Sequence, residues 1–500
     1  MNITNLISKA FHVTTAKLGV LNKNKPDEYQ GRANIENIHQ LKSSGFVAGT
    51  RFTVKELDIG VAFELHPEGE LIVTKKEHKR RNGDVVIGSR IDVRSKKIAD
   101  NLPPSESVVV YYLDGMIVLL PRPSDVNNQK RIDRLKESLE LNRFETAATY
   151  SGIGTLDDSL HEGFELNGIT TSLVGATDIW GNALNALFES NLAANSKTKT
   201  LAIGIEQLCA MGSRPFGKID MLTAGIPCKG ASKLNVKTRD EPERHLIAGH
   251  QVLNLVMLLQ SMEWDVPLIL IENVTAWADT VSCSMLTRVF EEQGYNVQFV
   301  GDNVDGEYKG INSNNFGTIE RRVRMAMLAT PKGIDINMAA MEHLRTGPSK
   351  LTVGDIRLDD SQIDPKEYEY GNHLDSDTKK NKGWKNRIVQ DSDNKTPLLS
   401  ADCYKQRVED PKFMHQTIEG KTRLPMPEEN AALKGQPERI INALTFKTHA
   451  HIALGNGCAR KPWVAFAYAL SFDLQNWFKS LAPSKEIFNK GEQMDLLFAS

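Results

Sequence analysis

One cysteine follows a strand-like run of the sequence in a position that favours chemistry. The run from Ile219 to Leu222 leads into a Gly/Pro-bent loop that ends in Pro227 and Cys228. Open α/β sheets bind their ligands beyond the carboxyl ends of their strands, so a thiol at this point is a candidate nucleophile. A lone cysteine is more often an inert buried side chain. The residues around the loop must decide between the two interpretations.

Three further groups of residues argue against an inert cysteine. One is a glycine turn after an earlier strand, one ends a later apolar strand with a carboxylate, and one carries closely spaced arginines. Each group alone has a structural explanation, as a strand-end cap, a surface ion pair or an ordinary glycine turn. The groups are Tyr150-Ser151-Gly152-Ile153-Gly154, Glu272-Asn273-Val274 and Glu320-Arg321-Arg322-Val323-Arg324.

The order of these groups resembles that of the DNA (cytosine-5) methyltransferases over about residues 143–480. The resemblance implies an α/β, Rossmann-like S-adenosylmethionine-dependent methyltransferase domain with an inserted target-recognition region. It implies an enzyme that transfers a methyl group from S-adenosylmethionine to C5 of cytosine in a specific sequence of double-stranded DNA. DNA methylation of this kind is typical of restriction–modification systems.

The resemblance also implies a catalytic role for four residues. The thiolate of Cys228 would add to C6 of a cytosine that has been flipped out of the duplex, which makes C5 nucleophilic. Glu272 would hydrogen-bond to N3, with a pKa raised by enclosure. Arg324 would hold the cytosine O2, and Arg322 would order the loop or support Cys228.

The methyl donor needs a pocket of its own. Two glycines of the turn would let the backbone approach the methionine part of S-adenosylmethionine, and the following helix N-terminus would favour its carboxylate. Asp178 would accept hydrogen bonds from the ribose hydroxyls, Ile179 would lie against the adenine, and Asn456 would close the pocket. The implied cofactor-binding residues are Tyr150, Ser151, Gly152, Gly154, Asp178, Ile179 and Asn456.

Several positions depart from the family pattern. Lys229 replaces the usual glutamine after Pro-Cys, Thr155 replaces a glycine, and Glu320 replaces the glutamine before the arginines. Gly204-Ile205-Glu206 stands where Gly-Asp-Ile is common, which leaves the adenine contact open. The segment from Cys458 to Pro462 differs from the usual Asn-x-Val-Pro ending. The nucleophile, the glutamate and Arg324 are all retained, so we expect an active, divergent enzyme.

Alternating strand and helix patterns predict the elements that position these residues. Residues 143–330 form the predicted catalytic domain, 331–422 the target-recognition region and 423–482 the return of the catalytic domain. Apolar spacing predicts a helix that buries Leu156, Leu160 and Phe164. A second, longer helix is predicted to place Leu246, Leu253, Val256 and Met257 on one face.

The N-terminal part has a different pattern, with short alternating strands between turns. Residues 1–34 are predicted to be a lead-in, and 35–125 a small all-β barrel that resembles the swapped-hairpin barrels of the SymE/AbrB-like kind. Its basic cluster fits either phosphate contacts or a merely solvated hairpin tip. Pro121, Pro123 and the helical, charged stretch 127–141 are interpreted as a linker. The basic cluster comprises Lys75, Lys76, Lys79, Arg80 and Arg81.

Two further segments indicate binding partners. Basic residues surround Trp384 within the recognition region, which suits either a nucleic-acid surface or a mobile charged loop. The tail, 483–500, contains a Gln-x-x-Leu-x-Phe pattern that resembles the peptide by which bacterial replication proteins bind the sliding clamp; its key residues are Gln493, Leu496 and Phe498. The basic residues of the loop are Lys379, Lys380, Lys382, Lys385 and Arg387.

Composition limits the classes of function, partner and compartment that fit this chain. The net charge of −2 excludes a polycation, so any nucleic-acid surface must be local. Five scattered cysteines form no CxxC pair, which argues against a metal site or a disulfide framework and for a reducing compartment. No apolar run approaches the length of a membrane span. We therefore expect a cytoplasmic protein with no membrane and no metal partner.

Two alternatives remain open at this point. One branch of the same family methylates tRNA, although the N-terminal barrel and the insertion favour DNA. The other alternative is a catalytically silent DNA-binding regulator, against which the retention of the nucleophile, the glutamate and both arginines argues. A comparison of methyl transfer to duplex DNA and to tRNA would test the tRNA alternative. Absence of methyl-donor binding would support the silent regulator.

Overall fold

The computed structural model describes residues 3–21, 30–79, 82–102, 107–212, 214–227, 230–231, 241–370, 387–401, 403–405 and 410–481. The chain divides into two compact units, Met1–Val126 and Asn127–Ser500. Several residues singled out above lie outside the described residues. They are Cys228, Lys229, Arg80, Arg81, the basic residues from Lys379 to Lys385 with Trp384, and Gln493, Leu496 and Phe498.

The first unit is built mainly of antiparallel strands around one apolar core. Its strands are β1 (His12–Lys17), β2 (Gly19–Leu21), β3 (Gln30–Ile35), β4 (Arg51–Glu56), β5 (Val61–Leu65), β6 (Leu71–Ile72), β7 (Thr74–Lys79), β8 (Val85–Ser95), β9 (Ser107–Leu113) and β10 (Met116–Pro121). Its short helices are α1 (Ile3–Ile7), α2 (Ile38–Ser43) and α3 (Lys96–Asn101). The described strands pair in the orders β1-β9-β10-β5-β4-β6 and β2-β3-β8-β7.

This unit confirms the predicted all-β region and corrects its beginning. Strand β1 pairs with β9 and β3 pairs with β8, so the predicted lead-in contributes strands to both sheets. The short strand β1 alternates half-buried and exposed side chains of modest hydrophobicity, which hides it in the sequence. The resemblance to SymE/AbrB-like barrels stays a prediction.

The second unit contains a large mixed sheet. Its strands are β11 (Arg143–Thr149), β12 (Thr170–Thr177), β13 (Lys199–Leu201), β14 (Met221–Ala224), β15 (Leu268–Asn273), β16 (Tyr295–Val300), β17 (Asp302–Val304), β18 (Glu307–Asn312) and β19 (Val323–Pro331). Their order is β13-β12-β11-β14-β15-β19-β18-β17, and β16 also pairs with β19. The first five strands of this order run parallel, and β19 is antiparallel to β15.

Helices cover both faces of this sheet. The helices associated with the second unit are α4 (Pro123–Glu140), α5 (Thr155–Glu165), α6 (Gly181–Ser190), α7 (Ile205–Ala210), α8 (Gln251–Ser261), α9 (Val281–Glu292), α10 (Val353–Ile356), α11 (Pro427–Leu433), α12 (Glu438–Asn442), α13 (Lys447–Asn456) and α14 (Arg460–Ser480). One core joins α4, α5 and α14 to the sheet, and another joins α7, α8 and α9. This is the predicted Rossmann-like α/β arrangement.

Shorter 3-10 turns connect these elements at Pro242–Arg244, Thr275–Asp279, Ser313–Asn315, Ala339–Leu344, Asp360–Gln362, Pro365–Glu367 and Cys403–Lys405. Within 331–422, a small sheet contains β20 (Glu369–Tyr370), β21 (Arg387–Val389), β22 (Pro411–Met414) and β23 (Lys421–Arg423) in the order β20-β23-β22-β21. The domain boundaries and the role of this region in target recognition stay predictions.

Two predicted helix faces have different outcomes. In α5, Leu160 and Phe164 are buried in the core and Leu156 packs against it, as predicted. In α8 the predicted face is wrong, because the helix begins at Gln251 and buries Val252, Leu255, Leu258 and Leu259. Leu246 precedes the helix and is almost fully exposed, while the side chains of Leu253 and Met257 point largely to solvent. Apolar residues on both faces made the period ambiguous.

Helix α4 corrects the prediction of a linker at 127–141. Leu135 and Leu139 lie in the core, and the fully buried Arg131 donates to the carbonyls of Trp264 and Gln293 at 2.7 Å each. Its guanidinium also lies 3.8 Å from the centre of the Tyr295 ring. Because these groups are buried and paired, the stretch is part of the second unit.

Among the described residues, no helix is both long and apolar enough to cross a membrane. The same residues contain no cluster of three or more histidine, cysteine or acidic side chains arranged to hold a metal ion.

Candidate active site

The turn after β11 has the backbone shape that its glycines permit. Tyr150, Gly152 and Gly154 all have positive φ, at 54°, 53° and 71°. A Cβ added at Gly154 would lie 2.8 Å from the Leu187 side chain, whereas one at Gly152 would meet no atom within 4 Å. Gly154 therefore serves close packing against α6, and Gly152 leaves an open space beside the backbone.

Asp178 borders that space at the end of β12. One carboxylate oxygen accepts from the Gly152 amide at 2.8 Å, and the other accepts from the Trp180 amide at 2.9 Å. The Ile179 side chain beside it is 79% exposed, an unusual position for an apolar residue. An open backbone, a carboxylate and an exposed apolar side chain together fit the amino acid, ribose and adenine parts of S-adenosylmethionine.

The same turn lies against the loop that leads to the cysteine. The Gly225 amide donates to the Thr149 carbonyl at 3.2 Å, and Gly225 lies beside the Tyr150 carbonyl. The Tyr150 hydroxyl donates to the Gln251 side chain at 2.9 Å, and burial raises the pKa of this phenol. The end of β14 is thus fixed next to the candidate donor pocket, as the parallel pairing of β11 and β14 requires.

Asn273 connects the Glu-Asn-Val turn to the Pro-Cys loop. Strands β14 and β15 are parallel, with Ala224 opposite Ile271, so both loops leave the same edge of the sheet. The buried Asn273 amide donates to the Ile226 carbonyl at 3.2 Å. This bond anchors the loop two residues before Cys228 in the sequence.

Glu272 and Arg324 form an ion pair at this edge. Antiparallel pairing of β15 with β19 places Glu272 opposite Ala326, and the Arg324 Nε lies 2.9 Å from the Glu272 carboxylate. Their side chains are only 16% and 13% exposed. The structure therefore brings together two of the predicted catalytic residues and leaves them partly accessible.

Arg322 points into a different part of the unit. Its side chain is buried, and its Nη2 donates to the Gly455 carbonyl at 3.0 Å and to the Asn456 carbonyl at 3.4 Å. Burial lowers the pKa of its guanidinium to about 10. Its Nε and Nη1 have no hydrogen-bond partner among the described residues. Arg322 thus supports the backbone that carries Asn456.

The segment after Asn456 lies at the N-terminus of α5. The Cys458 amide donates to the Thr155 hydroxyl at 3.1 Å, which gives a structural role to a residue that replaces the family glycine. Arg439 binds the buried Asp158 carboxylate at 2.7 Å, and Arg460 binds the same carboxylate. Asn456, whose side chain is exposed, therefore lies near the turn that carries Gly152 and Gly154.

Sequence reasoning missed two buried charged groups near these residues. Asp157 in α5 accepts from the Thr223 hydroxyl at 2.6 Å, and burial raises its pKa to about 6. Glu320 forms a fully buried ion pair with Lys434, whose pKa burial lowers to about 8. The replacement of the usual glutamine by Glu320 was the one signal in the sequence, because a buried carboxylate needs a cationic partner.

The fold and the turn at the N-terminus of α5 define the class of Rossmann-like methyltransferases. A search of curated proteins found no match for this chain. The model of the C-5 cytosine-specific DNA methylase family matches residues 144–452, well over half of the chain. The chain belongs to the C-5 cytosine-specific DNA methylase family.

Solved structures also show similarity to this chain. The S. pombe Dnmt2 methyltransferase is 17% identical, with a TM-score of 0.46, and the match covers 68% of this chain and 99% of that one. The Entamoeba histolytica methyltransferase EhMeth is 13% identical, with a TM-score of 0.46 and coverage of 68% and 99%. A putative DNA modification methyltransferase of an E. coli prophage is 15% identical, with a TM-score of 0.43 and coverage of 67% and 99%.

Proposed function

We propose that this protein transfers a methyl group to C5 of cytosine within a specific sequence of double-stranded DNA. The observation that carries the proposal is the Glu272–Arg324 pair, which lies beside the Asn273 anchor of the Pro-Cys loop. A family that methylates cytosine needs a nucleophile, a proton donor for N3 and a donor to O2 within reach of one base. Glu272 and Arg324 supply the last two at one edge of the sheet, and Cys228 follows the anchored loop in the sequence.

In this proposal the Cys228 thiolate adds to C6, and the Glu272 carboxyl group protonates or hydrogen-bonds N3 to stabilise the charge that develops on the ring. Arg324 donates to O2 and keeps Glu272 oriented. Loss of the C5 proton to solvent and elimination of the thiolate then restore the aromatic ring after methylation. The base must leave the duplex, because neither face of C6 is accessible within the stack.

S-adenosylmethionine supplies the electrophilic methyl group when it is bound. Gly152 and the α5 N-terminus would hold its amino acid part, and Asp178 would accept from the ribose hydroxyls. Tyr150, Ser151 and Gly154 shape this turn, Ile179 would contact the adenine, and Asn456 would close the pocket from the C-terminal side. Glu206, in the Gly204-Ile205-Glu206 segment that stands where Gly-Asp-Ile is common, accepts from the Asn254 side chain at 3.4 Å.

The test compares the wild-type chain with Cys228→Ser on duplex DNA and on tRNA. We expect 5-methylcytosine in duplex DNA only, detected by mass spectrometry, and trapping of the wild-type chain by 5-fluorocytosine DNA. Cys228→Ser is expected to lose both signals and to keep methyl-donor binding. Methylation of tRNA alone, or a fluorocytosine adduct on the serine variant, would contradict the proposal.

In our proposal, residues 331–422 mainly determine which DNA sequence is methylated. This insertion interrupts the α/β rhythm, and its described part forms a separate small sheet. Transfer of the segment into a related enzyme is expected to move the methylated sequence with it. If specificity instead follows residues 35–125, the N-terminal unit is the part that reads the DNA.

The tail is proposed to bind the sliding clamp through Gln493, Leu496 and Phe498. A few anchor side chains dominate such peptide binding, and ordering of a tail limits the affinity to roughly micromolar. Tethering would raise the local concentration of the enzyme on newly made DNA. Equal clamp binding by the intact chain and by a chain that ends before Gln493 would contradict this assignment.

A further inference from the structure

The segment that precedes the catalytic arginine is joined to the recognition region by backbone hydrogen bonds. The Arg321 amide donates to the Thr396 carbonyl at 2.9 Å, and the Thr396 amide donates to the Ile319 carbonyl at 2.9 Å. Extended backbone alternates its side chains, so Glu320 and Arg322 point inward and are buried. The Arg321 side chain lies on the opposite side and is exposed.

Arg321 lines a cavity of about 470 Å³ together with Arg387, Lys395 and the segment Thr396-Pro397-Leu398. Among the residues that the structure describes, no carboxylate lines this cavity. The nearby acids are bonded elsewhere, because Asp391 pairs with Arg357 at 2.7 Å and Asp393 accepts from the Gln390 amide. The structure shows no acidic partner for the three cavity cations among the described residues.

Three cations that have no acidic partner in the described part of the chain surround a concave surface, and together they focus a positive potential that favours an anion. Two guanidinium groups can each bind two oxygens of a phosphate, and a lysine adds a point charge. The volume exceeds that of one phosphate group, which suits a stretch of phosphodiester backbone more than a free inorganic ion. The apolar wall of Pro397 and Leu398 suits the sugar between phosphates.

We propose that this basic cavity binds the phosphate backbone of the substrate DNA beside the flipped base. The proposal rests on the proposed function for the identity of the nucleic acid. Arg321 lies three residues before Arg324, so a phosphate bound there also orders the segment that presents Arg324. Contacts of this kind set affinity and register, and they read no sequence.

The test measures binding of the full-length chain to a labelled duplex over a range of salt concentrations. Arg321→Ala, Arg387→Ala and Lys395→Ala are each expected to weaken binding about 3- to 10-fold at low salt and to reduce the salt slope by about one. The triple variant is expected to lose on the order of 100-fold. The loss should be equal on duplexes of different sequence.

Two variants serve as controls. Arg387→Lys keeps the charge and is expected to retain most of the affinity, whereas Arg288→Ala removes an exposed arginine from α9 and should bind like wild type. Because the three cavity cations are exposed, their removal should leave the melting temperature unchanged.

Two results would overturn the assignment. One is a triple variant with wild-type affinity and salt slope. The other is tight binding of inorganic phosphate or diphosphate that the triple variant loses while its duplex binding stays intact, which would assign the cavity to a small phosphorylated ligand. Binding is measured without turnover, so a wild-type chain that methylates no DNA would overturn only the proposed function.

Discussion

Arg324 holds the Glu272 carboxylate at 2.9 Å, so the two groups assigned to neighbouring atoms of one base are already side by side. Cytosine presents O2 and N3 along one edge, and a guanidinium next to a carboxyl group matches that edge. The pairing also gives each of these two mostly buried side chains a polar partner before a base is bound. The two side chains are therefore already together before a base binds, and binding needs only to turn them from each other toward N3 and O2.

This relationship predicts a loss of turnover in Glu272→Gln. The amide keeps the shape and a hydrogen bond from Arg324 but cannot donate an acid proton to N3, so kcat should fall about 10²- to 10⁴-fold. DNA binding and methyl-donor binding should change little. Glu307→Gln, on the exposed end of β18, is the matched control and should keep full activity. Wild-type kcat in Glu272→Gln would remove the glutamate from the mechanism.

The buried Glu320–Lys434 pair predicts strong coupling in a double-mutant cycle. Lys434→Met leaves a buried carboxylate without its cation and should cost about 3–5 kcal/mol of stability. Glu320→Gln combined with Lys434→Met should recover much of that loss. The partly exposed Lys447–Glu367 pair is the control, with an expected coupling of about 0–1 kcal/mol. Urea unfolding measures both cycles, and additive losses at Glu320 and Lys434 would contradict the coupling.

His451 predicts a pH dependence of stability. Burial lowers the pKa of this histidine from 6.5 to about 4, so between these values the unfolded chain binds a proton that the folded chain does not. Stability should therefore fall as the pH drops from 6.5 to 4, by about 3 kcal/mol in total. His451→Gln should remove this slope, and His343→Gln, an exposed position, should keep it. An identical slope in wild type and His451→Gln would show that other groups cause it.

Sequence reasoning was effective where a residue type has few structural uses. The glycine turn and the alternation of strand and helix patterns predicted the fold class. The strand-end position of Glu272 and the closely spaced arginines identified two residues that the structure places together, Glu272 and Arg324. Sequence reasoning failed where charged side chains, which are usually exposed, are buried. Arg131 and Asp157 are charged side chains inside the unit, and their partners are backbone carbonyls and the Thr223 hydroxyl, which no sequence spacing reveals.

The face of α8 and the helix α4 show a second limit. Apolar residues occur on more than one side of α8, so the sequence alone does not show which side is buried. Contacts with strands that are distant in the sequence determine the buried side. The charged sequence of α4 is typical of a solvated linker, yet Arg134 binds the buried Asp220 at 2.7 Å and Ser138 donates to the same carboxylate. In both helices, contacts with residues distant in the sequence determine which side chains are buried.

Arg131 provides the last prediction. Its guanidinium donates to the carbonyls of Trp264 and Gln293, and Arg131→Met would remove these bonds while it nearly preserves the side-chain volume. The Trp264 carbonyl would keep only the Tyr295 hydroxyl, at 3.4 Å. We expect a loss of about 2–4 kcal/mol, since each buried unsatisfied group costs about 1–3 kcal/mol. Lys130→Met changes the exposed neighbouring residue and should alter stability by less than about 0.5 kcal/mol. Denaturant unfolding of the two variants measures the difference. Equal stability of the two variants would show that the buried guanidinium contributes little to the stability of the second unit.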